Sequence, residues 1–217
     1  MKCRVVQFLI VLLLVAGSAC GQGTIRYVDI NPDLFMFSAW TRRDVPIDLD
    51  QDGTPDFVFR ATPSQFDIYG LGGNRALAFP NNPPDLTRRA VPLMAGDAIA
   101  SSLQPQYIWA ESQFFGGPSD PLGVVFNGGF ETIIGTFVNR IAYVGLEFQS
   151  GGNTHYGWIQ LDTVRFSNNG GYVLDYAYEL RPGTSIFAGA VPEPSTWALL
   201  SAGGILFWLL GRGKRMA

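Results

Sequence analysis

Nine consecutive residues, Asp48-Leu49-Asp50-Gln51-Asp52-Gly53-Thr54-Pro55-Asp56, carry carboxylates at positions 1, 3, 5 and 9 and a glycine at position 6. Alternate carboxylates converge on one ion only where the chain curls round it, and Gly53 permits the sharp turn that curling requires. Hard oxygen donors at this spacing suit Ca²⁺ over Zn²⁺, with the carbonyl of Thr54 as a further ligand at position 7. The candidate ligands are therefore Asp48, Asp50, Asp52, Thr54 and Asp56, and the expected role of the ion is structural. The same composition also describes a solvated acidic turn, because Asp and Gly are favoured in turns for reasons unrelated to ions. Three carboxylates within five residues repel one another, however, and a cation relieves that repulsion.

The flanks decide what kind of loop this is. Residues 45–48 before it and 56–60 after it (DFVFR) are strand-like, where an EF-hand needs helices. Position 12 is Phe59, which cannot supply the bidentate carboxylate of an EF-hand. With its D-x-D-x-D-G-x-x-D pattern the run resembles the calcium loops of the FG-GAP, dockerin and thrombospondin type-3 classes. The expectation is a calcium-stabilised turn between two strands.

The surrounding sequence reads as β throughout. Runs rich in Val, Ile, Phe, Tyr and Trp are separated by Gly, Pro, Asn and Asp clusters, and no stretch keeps a helical period over three turns. Residues 141–149 (IAYVGLEFQ), 155–166 (HYGWIQLDTVRF) and 172–180 (YVLDYAYEL) are joined by the turns 150–153 and 167–171, which predicts an antiparallel meander. Strict alternation sets Tyr156 and Trp158 opposite Gly157, Ile159 and Leu161. It also puts Tyr172, Leu174, Tyr176 and Tyr178 on one buried face and Val173, Asp175, Ala177 and Glu179 on the other. Residues 71–74, 80–85 and 116–121 read as loops, 98–103 as a short helix capped by Asp97, and 185–190 as a last short strand. Many short strands with turns between them favour one mainly β domain over residues 22–190, an antiparallel β-sandwich or jelly-roll.

Both ends of the chain differ from this domain. Lys2 and Arg4 precede an aliphatic run, 5–15, and the small residues 16–21, the layout of a secretory signal peptide over residues 1–21. Cleavage after Ala19 or after Gly21 fits equally, and Cys20 also admits a lipoprotein reading, although Gly17 stands where that signal usually carries leucine. Both cysteines, Cys3 and Cys20, fall in or beside this segment, so the exported domain has no disulfide of its own. At the other end, residues 191–217 hold the triplet Pro192, Glu193 and Pro194, an apolar run over 197–210, and a basic terminus with Arg212, Lys214 and Arg215. The run reaches the lower edge of what spans a bilayer, and the cations favour the cytoplasmic side. A plain single-span anchor accounts for the run and the charges but not for the triplet.

This tripartite end resembles the PEP-CTERM sorting signal of Gram-negative bacteria. The resemblance implies recognition and processing by an exosortase-type membrane enzyme, with the chain anchored in the inner membrane during sorting and then carried to the cell surface or extracellular matrix. Gly145 to Phe148, the H-Y-G-W strand from His155 and the D-Y-A-Y-E strand from Asp175 are similar to the last part of many PEP-CTERM surface proteins. That likeness implies architecture and an association with exopolysaccharide and biofilm, and it carries no catalytic residues.

Charge and composition narrow the functions further. Setting aside Lys2, Arg4, Glu193, Arg212, Lys214 and Arg215 leaves 10 arginines against 17 acids, a net charge of −7 with no lysine. Such a surface is poorly suited to nucleic acid, whose binding rests on clustered cations. His155, the one histidine, opens a strand beside aromatics and is expected to be packed or exposed there, not catalytic. Glu111, Glu131, Glu147 and Glu179 form no distinguished acid pair of the kind glycoside hydrolysis needs, and Glu147 and Glu179 read as solvent-facing strand residues. Trp40, Tyr69, Tyr107, Trp109 and Trp158 offer rings that sugars could stack on, with core packing as their other use. The expectation is a non-catalytic exported surface or matrix protein that binds a structural calcium ion. The alternative is a carbohydrate-binding or carbohydrate-active domain delivered by the same route.

Overall fold

The computed structural model describes residues 25–36, 41–62, 65–80, 89–111, 122–127, 133–134, 136–165 and 171–192. Expectations for residues 1–21, 81–85, 116–121 and 167–170, for Trp40 and Glu131, and for the tail from Glu193 onward, with Pro194, Arg212, Lys214 and Arg215, lie outside the described residues.

The chain begins with β1 (Ile25–Met36), β2 (Arg43–Ile47), β3 (Phe57–Ala61) and β4 (Gln65–Gly70). The middle holds β5 (Arg75–Ala78), β6 (Ala98–Ile99), β7 (Ile108–Glu111), β8 (Leu122–Asn127) and β9 (Ile133–Ile134). The last third holds β10 (Ile141–Ser150), β11 (Asn153–Asp162), β12 (Gly171–Glu179) and β13 (Ile186–Phe187). A six-stranded sheet runs β1-β12-β11-β10-β5-β7, a five-stranded sheet β2-β3-β4-β8-β9, and β13 pairs with β6. Every pairing is antiparallel, and among the described residues there is no helix and no closed barrel. The expected meander is β10-β11-β12, turning at Gly151-Gly152.

The strands form where β-branched and aromatic residues alternate with partners of the opposite face. Phe57, Phe59, Phe66 and Ile68 of the five-stranded sheet enter one apolar cluster with Val144, Leu146, Phe148, Ile159, Leu161 and Tyr176 of the six-stranded sheet. Each large side chain buried here contributes roughly 1.5–3 kcal/mol. The other face of the six-stranded sheet is buried too. Leu77, Tyr156, Trp158 and Ala177 meet Val91, Leu93, Ile99, Ile186 and Ala188 in a second cluster. The segments around β6 and β13 thus lie over the face that Tyr156 and Trp158 present.

Three expectations are corrected. Residues 98–103 are not helical: β6 pairs Ile99 with Ile186, both buried, and this long-range contact replaces a local cap. The Asp97 carboxylate instead accepts the Met94 N–H at 2.7 Å and closes a turn. Second, β12 does not alternate strictly, because its register against β11 shifts between Gln160 and Leu161, which puts Leu161 opposite Val173 and leaves Leu174 as an extra residue. Val173 therefore shares the core with Tyr176 and Tyr178, while Tyr172 and Leu174 are half-buried. Third, Glu147 and Glu179 are buried, because the six-stranded sheet is covered on both faces. Arg75 pairs with Glu147, and Arg181 with Glu179 at 3.1 Å.

The five-stranded sheet also buries polar groups, on the face turned away from the shared core. Arg60 donates to Asp44 from Nε at 2.8 Å and Nη2 at 3.1 Å, and its guanidinium lies 4.4 Å from the centre of the Tyr69 ring. The Tyr69 hydroxyl is 3.4 Å from Asp67 Oδ2, and Asp67 is fully buried with Oδ1 lacking a partner. Burial pushes the Asp67 carboxyl up to about 8, although the Tyr69 hydroxyl and the Arg60 charge pull it down. Asp67 thus holds a proton at neutral pH. Its folded value lies above the usual carboxylate value, so the stability it contributes is complete at low pH and is lost as pH rises through about 8. Relative to an Asp67→Asn variant, the wild-type domain should lose stability progressively from about pH 4 upward, with no further divergence above about pH 9. Urea midpoints of both proteins across that range measure this, and parallel curves would contradict a neutral Asp67.

Candidate functional site

The acidic run is the connection between β2 and β3, and the sheet beneath it determines its shape. Ile47 and Phe57 face each other in the ladder, and the Asp56 N–H closes the loop on the Ile47 carbonyl at 2.9 Å. Leu49 turns inward and is buried in the shared core, so its carboxylate neighbours turn the other way. The Asp48 carboxylate organises the curl: Oδ1 accepts the N–H of Gln51 at 2.7 Å and of Asp52 at 3.2 Å, and Oδ2 accepts that of Gly53 at 2.8 Å. Gly53 has φ +94°, which side-chain-bearing residues rarely adopt, so glycine at position 6 is required by the turn itself.

The loop brings together oxygens of Asp48, Asp50 and Asp56, all within 4.8 Å of one another. Asp52 is not in this group. Its Oδ1 accepts the Thr54 N–H at 2.7 Å, two residues on, and Thr54 itself is exposed. Three of the four expected carboxylates therefore converge, and the fourth is held by a local turn of the kind short acidic side chains make with their own backbone.

Asp56 stands apart from the other two because it is buried. Its Oδ2 accepts the Leu49 N–H at 2.8 Å, and its Oδ1 accepts Asn74 Nδ2 at 3.1 Å. Burial pushes its carboxyl up to about 6, the charges of Asp50 and Asp48 add to this, and the bonds from Leu49 and Asn74 oppose it. Negative charge is thus confined here against an electrostatic cost, which a divalent cation would remove.

Three residues outside the run complete the site, and none is marked by local sequence. Asn74 Nδ2 also reaches the Asp56 carbonyl at 3.2 Å, while its Oδ1 accepts the Gln149 N–H of β10 at 2.9 Å. The turn from Gly70 to Asn74 is so tight that a Cβ on Gly70 would lie 1.8 Å from the Asn74 carbonyl oxygen. From β1, Arg26 donates to the Asp50 carbonyl at 3.2 Å and to the Gln51 side chain. From β12, the Tyr176 hydroxyl lies 3.4 Å from the Asp48 carbonyl. Arg26 thus bonds a backbone carbonyl and a side-chain amide, not one of the converging carboxylates. The glycines at 72 and 73, both with positive φ, mark the turn in the sequence but not the role of Asn74.

The other candidates are taken up by packing. His155 is buried, with Nδ1 2.8 Å from the Glu179 carbonyl oxygen and its ring against Phe148 and Tyr178. Tyr69 and Trp158 are buried, Trp109 stacks on Tyr156 with ring centres 5.9 Å apart, and Tyr107 meets Phe79 edge-on. At the far end of the described chain, the Trp158 indole N–H donates to the Ala190 carbonyl at 3.2 Å, and Pro192 follows, exposed. No helix among the described residues is long and apolar enough to cross a membrane.

Residues 190–215 match the family model of the PEP-CTERM protein-sorting motif, the signal of an exosortase substrate. The match begins at the residue that Trp158 holds. No curated protein and no solved structure matches the chain.

Asn74 joins the loop to β10, so removing its amide leaves the Gln149 N–H and one Asp56 oxygen without their partner. An Asn74→Ala substitution should cost about 1–3 kcal/mol for each group left unpaired. The shift of the urea midpoint at constant slope measures it, and a loss under about 0.5 kcal/mol, the scale of an ordinary surface change, would show that the bridge is dispensable.

Proposed function

We propose that this chain is a non-catalytic surface or matrix protein, exported by the N-terminal segment 1–21 and sorted by the C-terminal segment 191–217. The observation that carries the reading is the sorting motif at residues 190–215, which implies export, membrane-associated sorting by exosortase and then surface display. In this reading Pro192, Glu193 and Pro194 are what the enzyme recognises. The apolar run 197–210 holds them at the bilayer surface, and Arg212, Lys214 and Arg215 keep the end of the chain on the cytoplasmic side. The mature domain then associates with extracellular polysaccharide, at the cell surface or in a biofilm matrix. The domain itself we read as a two-layer β-sandwich. The apolar cluster common to the six- and five-stranded sheets supports that arrangement.

We further propose that the β2–β3 loop binds Ca²⁺ as a structural ion. Asp48, Asp50 and Asp56 supply the converging oxygens, and Asp52 and Thr54 complete the set through the loop backbone or a small adjustment. The donors are all hard oxygens, no thiolate or imidazole lies in the group, and burial of Asp56 favours an ion that compensates its charge. A carbohydrate-binding domain delivered by the same route remains the second reading. The packing of Tyr69, Trp158 and Trp109 against other residues favours the first.

Two measurements test these readings. The domain should melt at higher temperature as calcium is raised, as mass action requires of an ion that binds only the folded state. Asp48→Asn combined with Asp50→Asn should abolish that dependence, and a wild-type melting curve unchanged by chelator would remove calcium from the account. For the tail, replacing Pro192, Glu193 and Pro194 with alanine should leave insertion intact while the unshortened form accumulates in the membrane. Mass spectrometry of the wild-type C-terminus in the native host reads the outcome directly: an intact Ala217 on most molecules would leave a plain anchor.

A further inference from the structure

The chain leaves the folded domain at an anchored point. Ile186 and Ala188 are buried in the second apolar cluster, the Ala188 N–H donates to the Asp97 carbonyl at 2.8 Å, and the Gly96 N–H donates to the Ala188 carbonyl at 2.9 Å. Trp158 then holds the Ala190 carbonyl, and Val191 and Pro192 are exposed. The apolar run of the tail begins at Trp197, seven residues beyond Ala190. Fully extended, seven residues reach no more than about 25 Å, and the prolines at 192 and 194 favour a stiff, extended connection over a slack one. A domain tied this closely to an inserted segment has little freedom to move away from the bilayer.

Exposed apolar side chains lie beside this exit point. Phe187 is 52 % exposed, Met94 62 % and Val191 45 %, three of the seven large hydrophobic residues exposed among those described. The β6–β13 pair sets Phe187 opposite Ala98, which is also exposed, and the turn closed by Asp97 places Met94 and Ala95 alongside. Over residues 93–100 and 184–192 the only charged side chain is Asp97, whose carboxylate is already engaged by the Met94 N–H. The cluster beneath is filled by their neighbours Ile99, Ile186 and Ala188 and does not include them.

We propose that this exit face, Met94, Ala98, Phe187 and Val191, rests against the lipid surface into which the tail is inserted and seats the domain there until the tail is cut. The proposal rests on the reading that the 197–210 run enters the bilayer. Exposed apolar side chains suit shallow burial at the level of the headgroups, and the carboxylate of Asp175, which acts on Tyr143 beside Gly189, gives no preference for anionic lipid. Once the tail is removed, the contact loses its tether and a few exposed side chains alone do not hold a protein at a membrane.

The test uses the full chain with Cys3→Ser and Cys20→Ser, expressed with its own signal in a host without the processing enzyme. Single cysteines are introduced as Phe187→Cys, Met94→Cys and, at the hairpin between β10 and β11, Asn153→Cys. Ala98→Cys serves as a second position beside Phe187 should that variant fold poorly. Labelled with a fluorophore, each protein is reconstituted in phosphatidylcholine vesicles containing phosphatidylcholine spin-labelled near the headgroup. Flotation with the vesicles and several-fold stronger quenching at 187, 94 and 98 than at 153 are expected. Flotation with equal quenching at all positions overturns the seating face and leaves the inserted tail standing. Failure to float overturns the inserted tail and the proposal with it. Shielding of the label at 187 from aqueous iodide without lipid quenching would mean that the chain's own tail covers the face, which also overturns the proposal.

Discussion

The carboxylate of Asp56 is the group on which most of this structure converges. It closes the acidic loop through the Leu49 N–H, meets the turn after β4 through Asn74, and shares that asparagine with the Gln149 N–H of β10. A buried carboxylate is tolerated only where hydrogen bonds or a counter-charge replace the water it has lost. Here the replacements come from the β2–β3 loop itself and from the turn that joins β4 to β5. Arg26 and Tyr176 clasp the same loop from β1 and β12, so a turn that belongs to the five-stranded sheet is gripped largely by the six-stranded one. Electrostatics of the loop and registry of the sheets are therefore one problem, and a change at either end is felt at the other.

The covering of the six-stranded sheet on both faces has its own chemistry. A strand buried on both sides has no wet face for an acid, yet Glu147, Glu179 and Asp162 all lie in such strands with little exposure. Each is met by an arginine from its edge: Arg75, Arg181 and Arg165. Guanidinium is more weakly hydrated than ammonium and offers several donors in a fixed plane, which suits pairs at the boundary between core and solvent. The absence of lysine from residues 22–190 acquires a physical sense in these pairs. They do less for net stability than their number suggests, since desolvation offsets much of the attraction. What they do is let acids occupy interior strand positions.

Much of this was legible along the chain wherever the cause was local. The glycine turn at 151–152, the alternation of Tyr156 and Trp158 against Ile159 and Leu161, and the curl around Asp48 all follow from residues within a few positions of one another. The errors arise where a distant partner decided. Asp97 carries a good helix-capping side chain, but Ile99 gains more from Ile186 than a single turn of helix could return. The extra residue at Leu174 leaves no mark in composition, because either register presents apolar side chains to a sheet buried on both faces. Asn74, Arg26 and Tyr176 could not be found at all from spacing, since only folding brings them to the loop.

The pairing of β1 with β12 places Ile25 opposite Glu179 and Leu34 opposite Val173. The first strand therefore has no hydrogen-bonding partner until nearly the whole domain has been synthesised. At ordinary elongation rates of roughly 5–20 residues per second, that wait is on the order of ten seconds. The six-stranded sheet cannot close early, because its opening strand is joined to its last long one and not to its sequence neighbour. The topology alone thus postpones closure of the six-stranded sheet until the residues just ahead of the 190–215 sorting motif have been made.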